Sequence, residues 1–175
     1  MVNAAARYDD HQLVVAAAPN IPLDFYHKHI PKGHRVSIVE GQTYRLLSHA
    51  RAALVTSGTA TLETAIMRTP QVVCYYISMG PLFAWLRRHF LKVPFISLVN
   101  LVGQREIVAE LVGSQMNTDN LSRQLEPLLT HTPRRQRMLD DYDDILRRLG
   151  PAGASERAAD DIVARLQQRA ADHKD

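Results

Sequence analysis

The run Val55-Thr56-Ser57-Gly58-Thr59-Ala60-Thr61-Leu62-Glu63 carries the clearest chemical signal in this sequence. A β-rich stretch ends in a turn of small residues, and helical spacing begins at once. That order gathers backbone N–H groups and the positive end of a helix dipole at the carboxyl edge of a sheet, where a phosphate can sit. Gly58 permits close backbone approach, and Ser57 and Thr59 add hydroxyl donors. Glu63, one turn beyond Thr59 on the same helix face, can accept hydrogen bonds from a ribose. The same residues also suit plain helix capping, with Ser57 or Thr59 as the cap and Glu63 complementing the dipole.

A second segment, Pro94-Phe95-Ile96-Ser97-Leu98-Val99-Asn100-Leu101-Val102-Gly103-Gln104-Arg105-Glu106, runs from apolar residues into amide, guanidinium and carboxylate groups. Arg105 can pair with a diphosphate, and Asn100 can hydrogen-bond a sugar or a base. Arg105 and Glu106 equally fit a solvated charge pair opening a helix through Ile107, Val108 and Leu111.

These residues need a scaffold, and the alternation of short β-rich runs with amphipathic segments predicts one. Candidate strands are Gln12 to Ala17, Arg35 to Val39, Ala52 to Thr56 and Gln71 to Ile77. Between them Leu23 to His29, Thr43 to His49 and Thr59 to Met67 have helical spacing. This predicts α/β architecture, a Rossmann-like doubly wound parallel sheet. Ala52-Ala53-Leu54-Val55 is almost wholly apolar, which predicts a central strand covered on both faces. Beyond Gly113 the β signal gives way to helices: Thr118 is placed to cap Asp119 to Leu129, and Thr132-Pro133 to open a helix through Met138, Tyr142, Ile145 and Leu149. Ser155 is placed to cap a helix with Ala159, Ile162, Val163 and Leu166 on one stripe. The opening Met1-Val2-Asn3-Ala4-Ala5-Ala6 reads as the tail of a helix that follows a strand outside the sequence.

Composition narrows the function classes. With 175 residues and 46% hydrophobic content the chain can build a real core. Its one cysteine, Cys74, lies in an apolar run, so an internal disulfide is impossible and a reducing compartment is expected. No run approaches the roughly 18 apolar residues of a spanning helix. A formal charge of +3, from 21 basic residues interspersed with 18 acidic ones, does not point to nucleic acid. No metal-ligand spacing is present, since His27 and His29 are two apart and do not share a helix face. Arg134, Arg135 and Arg137, followed by Asp140, Asp141, Asp143 and Asp144, read as a solvated, mutually paired face.

The ordered set Ser57-Gly58-Thr59-Ala60-Thr61-Leu62-Glu63, Thr69-Pro70-Gln71-Val72-Val73-Cys74-Tyr75 and Ile96-Ser97-Leu98-Val99-Asn100-Leu101 with Arg105-Glu106 resembles the lipid-A-disaccharide synthase family. Ala18-Pro19-Asn20-Ile21 and Glu40-Gly41-Gln42-Thr43-Tyr44 extend the likeness. The family is similar in build to inverting, two-domain GT-B glycosyltransferases, and this chain resembles most of the second, donor-binding domain. The resemblance implies residues 1–113 as a nucleotide-sugar-binding domain lacking its first strand, and residues 114–175 as a helical segment packed on it. It also implies that an N-terminal acceptor domain, carrying the general base, is absent. The implied donor is UDP-2,3-diacylglucosamine and the acceptor 2,3-diacylglucosamine 1-phosphate, with no cofactor. Ser57, Gly58 and Thr59 would hold the diphosphate, Glu63 the ribose, Gly41 and Gln42 would lie beside the uridine, and Asn100 and Arg105 would complete the site. Two departures from the family pattern are Gly103-Gln104 ahead of Arg105 and the basic Arg51.

The segment from Pro81 to Lys92 opens apolar and turns basic. Leu82, Phe83, Trp85 and Leu86 suit contact with a bilayer interface, which the resemblance identifies as the cytoplasmic face of a bacterial inner membrane. A core helix with a solvated basic end fits the same residues. Competing readings of the whole chain are a UDP-binding module or split-enzyme subunit without activity of its own, and another UDP-sugar enzyme of the same architecture.

Overall fold

The computed structural model describes residues 1–56, 58–76, 95–151 and 153–172. In chain order they form α1 (Val2–Ala5), β1 (Leu13–Ala17), α2 (Leu23–His29), β2 (Val36–Glu40), α3 (Thr43–His49), β3 (Ala53–Thr56) and α4 (Ala60–Ile66). There follow β4 (Gln71–Tyr75), α5 (Leu98–Gly103), β5 (Glu110–Val112), α6 (Thr118–Leu129), α7 (Pro133–Leu149) and α8 (Ala154–Asp172). The architecture is α/β and Rossmann-like, with C-terminal helices. Every strand pairing is parallel, and the strands form two small sheets, β1 beside β2 and β3-β4-β5.

The chain divides into two compact units, Met1–Ile145 and Leu146–Asp175. In the first, β4 is buried along its whole length, because Val72, Val73 and Cys74 lie beneath side chains from several helices. Val99 of α5, Leu121 and Leu128 of α6, and Met138, Tyr142 and Ile145 of α7 complete this core. In the second unit α8 carries an Asp161–Arg165 ion pair one turn apart at 2.9 Å, and its Ile162, Val163 and Leu166 are exposed.

Several sequence expectations are corrected. The central strand of the three-stranded sheet is β4 rather than β3, whose apolar Ala53, Leu54 and Val55 are only half-buried and which, among the described residues, pairs with β4 alone. Ile107 and Val108 do not continue a helix. Gln104 adopts a left-handed φ of 56° and ends α5, after which the chain passes through bends at Arg105, Ile107 and Val108 before β5. The cap of α6 is Asn117, whose side chain accepts from the Asn120 N–H at 2.9 Å, and Ser155 lies inside the first turn of α8. Nor is the Arg134–Arg137 group simply a solvated face. Arg135 is half-buried and donates to the carbonyls of Arg51 and Leu128, while Arg51 donates to Leu129 O at 2.7 Å, so two guanidiniums close the carboxyl end of α6. Burial, and secondarily the neighbouring Arg51, hold the Arg135 pKa below its ordinary value.

Ser57 and the interface candidates Leu82, Phe83, Trp85 and Leu86 lie outside the described residues. Among those described, no helix is long and apolar enough to cross a membrane.

Candidate functional site

The turn between β3 and α4 is built by its own threonines. Thr61 reaches back to Gly58, its hydroxyl donating to the Gly58 carbonyl at 3.0 Å and its N–H at 3.3 Å. Gly58 has φ +106°, a conformation side-chain-bearing residues rarely adopt, and a Cβ placed there would meet nothing within 4 Å. The turn therefore presents bare backbone to open space. Thr59 occupies the cap position of α4 but makes no side-chain capping bond, which leaves its exposed hydroxyl available. Its carbonyl accepts from the N–H groups of Leu62 and Glu63 at 2.9 and 3.0 Å, starting the helix that carries Glu63. Glu63 is half-buried one turn from Thr59, on the same face, and its carboxylate has no partner among the described residues.

Two further candidates stand at the carboxyl end of β2, in the other sheet. Gly41 follows the last residue of β2 with φ +66°, and a Cβ there would also meet nothing within 4 Å. Gln42 begins α3, its Oε1 accepting from Arg45 Nη1 at 3.2 Å. Thr56, the last residue of β3, stands opposite Cys74 in the parallel register, and Tyr76 follows the end of β4. Tyr76 is 81% exposed, where Tyr75 beside it is buried.

The bonds that Asn100 and Arg105 make lie outside this turn. The Asn100 side chain is fully buried and occupied: its oxygen accepts from the N–H groups of Ile107 and Val108 at 2.8 and 3.0 Å. Its amide nitrogen donates to Val108 O at 2.9 Å and Glu110 Oε1 at 2.8 Å. Glu110, unforeseen in the sequence, takes further bonds from the N–H of Ile96 and from the N–H and hydroxyl of Ser97. This network welds the start of α5 to β5. Arg105 precedes the amino end of β5 and pairs with two carboxylates of α7, Asp141 at 2.6 Å and Asp144 at 3.4 Å. The hydrogen bond it donates to Asp141 is the main cause holding its pKa above the ordinary value. No cluster able to hold a metal ion occurs among the described residues.

Residues 2–162 match the family model described as lipid-A-disaccharide synthetase. The curated lipid-A-disaccharide synthase of Pseudomonas putida (strain GB-1) is 34% identical over 144 residues, which cover 81% of this chain and 37% of the relative. That of Myxococcus xanthus (strain DK1622) is 33% identical over 171 residues, 95% of this chain and 44% of the relative. The Gloeothece citriformis (strain PCC 7424) protein is 37% identical over 133 residues, 75% and 34% of the two chains. The chain spans between about a third and under half of the length of these relatives. A family match reaching from residue 2 to residue 162, joined by relatives of this identity, shows that the chain belongs to the lipid-A-disaccharide synthetase family.

Proposed function

We propose that this chain is the donor-binding part of a lipid-A-disaccharide synthase, a glycosyltransferase that moves 2,3-diacylglucosamine from UDP to 2,3-diacylglucosamine 1-phosphate. The observation that carries the reading is the β3–α4 turn, with its open Gly58 backbone and, among the described residues, a Thr59 hydroxyl without a capping bond and a Glu63 carboxylate without a partner, inside a chain whose family match spans it. A UDP leaving group gains negative charge as the glycosidic bond breaks, and preorganised donors stabilise it in proportion to how little they must rearrange. Ser57, Gly58 and Thr59 hold the diphosphate and Glu63 the ribose hydroxyls, with Gly41 and Gln42 beside the uridine. Asn100 contributes by position, fixing α5 against β5. Arg105 reaches the diphosphate only by exchanging its contacts with Asp141 and Asp144.

The acceptor site and the general base belong to the larger part of the relatives that this chain does not span. On this reading the isolated chain binds UDP but joins no acylated glucosamines, which is also what favours a binding-module or split-subunit role for it. Acylated substrates place the whole enzyme at the cytoplasmic face of the inner membrane, with Leu82, Phe83, Trp85 and Leu86 as the contact.

Calorimetric titration with UDP tests the donor site. Glu63→Gln should weaken UDP binding by about 1–3 kcal/mol, the cost of a lost partner for a buried polar group, with little change in melting temperature. Unchanged affinity alongside a small stability loss would leave Glu63 as a helix-dipole residue and overturn the assignment.

A further inference from the structure

We propose that a buried chain of hydrogen bonds, from Tyr142 through Gln71 to Thr61, positions the turn at Gly58, so that α7 and β4 set the direction in which that turn presents its backbone. The inference deepens the donor-site reading and rests on it for the ligand, a nucleoside diphosphate.

The chain of bonds ends at the turn. Thr61 donates its hydroxyl to the Gly58 carbonyl at 3.0 Å. That carbonyl and the N–H of Thr59 belong to one planar trans peptide, so they point in opposite directions. Holding the carbonyl on Thr61 therefore aims the Thr59 N–H away from Thr61, and among the described residues no acceptor takes it. A backbone donor already fixed in direction stabilises a developing negative charge better than one that must first rearrange.

Thr61 is itself held. Its carbonyl accepts from Gln71 Nε2, at the start of β4, at 2.9 Å, and the same nitrogen donates to the Tyr142 hydroxyl of α7 at 3.3 Å. Thr61, Gln71 and Tyr142 are each fully buried. Burial pushes the Tyr142 phenol above its ordinary value, so it stays a neutral hydroxyl that accepts from the amide.

The choice of glutamine here is the second observation. Val72, Val73 and Cys74, which follow it in β4, are apolar and just as buried. Gln71 brings an amide among them whose Oε1 is buried with no partner among the described residues. An unpaired buried oxygen destabilises, and an apolar side chain of similar shape avoids that loss. Stability therefore gives no reason for the amide. What the amide adds is direction, because its two N–H groups tie the first turn of α4 to α7. Helix capping accounts for the Thr61 hydroxyl, but not for Gln71 or Tyr142.

UDP titration of the full chain, paired with melting curves, tests the positioning. Gln71→Met keeps the volume and removes the amide, Thr61→Val keeps the shape and removes the hydroxyl, and Thr61→Ser returns it. The first two should bind UDP about five- to tenfold more weakly, the effect of roughly one lost hydrogen bond, while Thr61→Ser stays within about twofold of wild type. Thr61→Val carries the test should Gln71→Met fail to fold. Glu63→Gln lies outside the chain of bonds and tests the donor site alone. If it weakens binding while the folded Gln71 and Thr61→Val variants bind like wild type, the positioning is overturned and the donor site stands. The same follows if Thr61→Ser binds as weakly as Thr61→Val.

Hydrogen exchange decides the other case, in which Glu63→Gln binds UDP like wild type, or neither binds, and the donor site itself falls. The N–H groups of Leu62 and Glu63, both bonded to the Thr59 carbonyl, should exchange at least about fivefold faster in Gln71→Met and Thr61→Val, with that of Leu101 in α5 unchanged. Faster exchange confined to the turn shows that Gln71 holds it whatever it binds, and exchange at the wild-type rate overturns the proposal.

Discussion

Asn100 and Glu110 are bonded side chain to side chain at 2.8 Å, joining a helix to a strand across a segment where the backbone changes direction. The bond completes a set in which Asn100 substitutes for sheet partners, accepting from two buried N–H groups and donating to one carbonyl. Asn100→Ala leaves both N–H groups unsatisfied and should cost about 2–4 kcal/mol in urea unfolding. Asn100→Asp keeps the acceptor but sets a second carboxylate against Glu110. Burial and like charge then raise the new group's folded pKa, so its stability should be highest at low pH and fall as pH rises. Equal losses for both variants at pH 5 and pH 7 would show that the network does not hold this segment.

Arg135 spends its guanidinium on the carbonyls of Arg51 and Leu128. Arg135→Met retains the packing stem and removes the donors, and should destabilise the protein by about 1–2 kcal/mol, in the range of cations at partly buried helix ends. Arg137→Met, exposed two residues further on, should stay within about 0.5 kcal/mol. Thermal unfolding of the two variants side by side decides the point, and similar values would mean that the end of α6 does not depend on Arg135.

Gly58 has φ +106° and open space where a Cβ would go, so Gly58→Ala meets backbone strain without a clash. The expected stability loss is about 1–3 kcal/mol. If a diphosphate approaches the bare backbone, the new methyl also stands in its path, and UDP affinity should fall at least tenfold. Calorimetry on the folded variant that returned wild-type affinity would remove the turn from the donor site.

Burial pushes the Cys74 thiol up to about 11 from an ordinary value of 9.0. The folded state therefore keeps this proton over a range in which the unfolded chain loses it. The sign follows directly: the contribution is fully present below pH 9 and is lost as pH rises from about 9 to about 11. Denaturant midpoints of wild type should drop across that window, and those of Cys74→Ala should drop less. A thiol reagent should react with Cys74 only on unfolding, and rapid labelling of the native protein at pH 8 would contradict its burial.

Much of the scaffold was legible in the sequence, because strand and helix differ in hydrophobic period and most segments obeyed one period cleanly. The bounds of α2 and α3 follow from spacing alone, and the strand–turn–helix order around Gly58 from small residues between an apolar run and a helix. Local chemistry also marked Gly58, Thr59 and Glu63, which lie close in sequence and are therefore close in space in any fold that keeps the strand and the helix.

Tertiary structure decided whatever depends on partners far along the chain. The same apolar residues suited Ile107 and Val108 to a helix, and only Asn100, accepting from their N–H groups across the turn at Gln104, holds them in an irregular bend instead. Arg105 has the type and position of an anion ligand in sequence, but α7 returns to offer it Asp141 and Asp144. The apolar run of β3 announces a central strand, while among the described residues it pairs with β4 alone and is half-buried. Periodicity and turn chemistry are local and can be read along the chain. Pairing of polar groups and burial of a strand edge are set by long-range neighbours, which only the folded chain brings together.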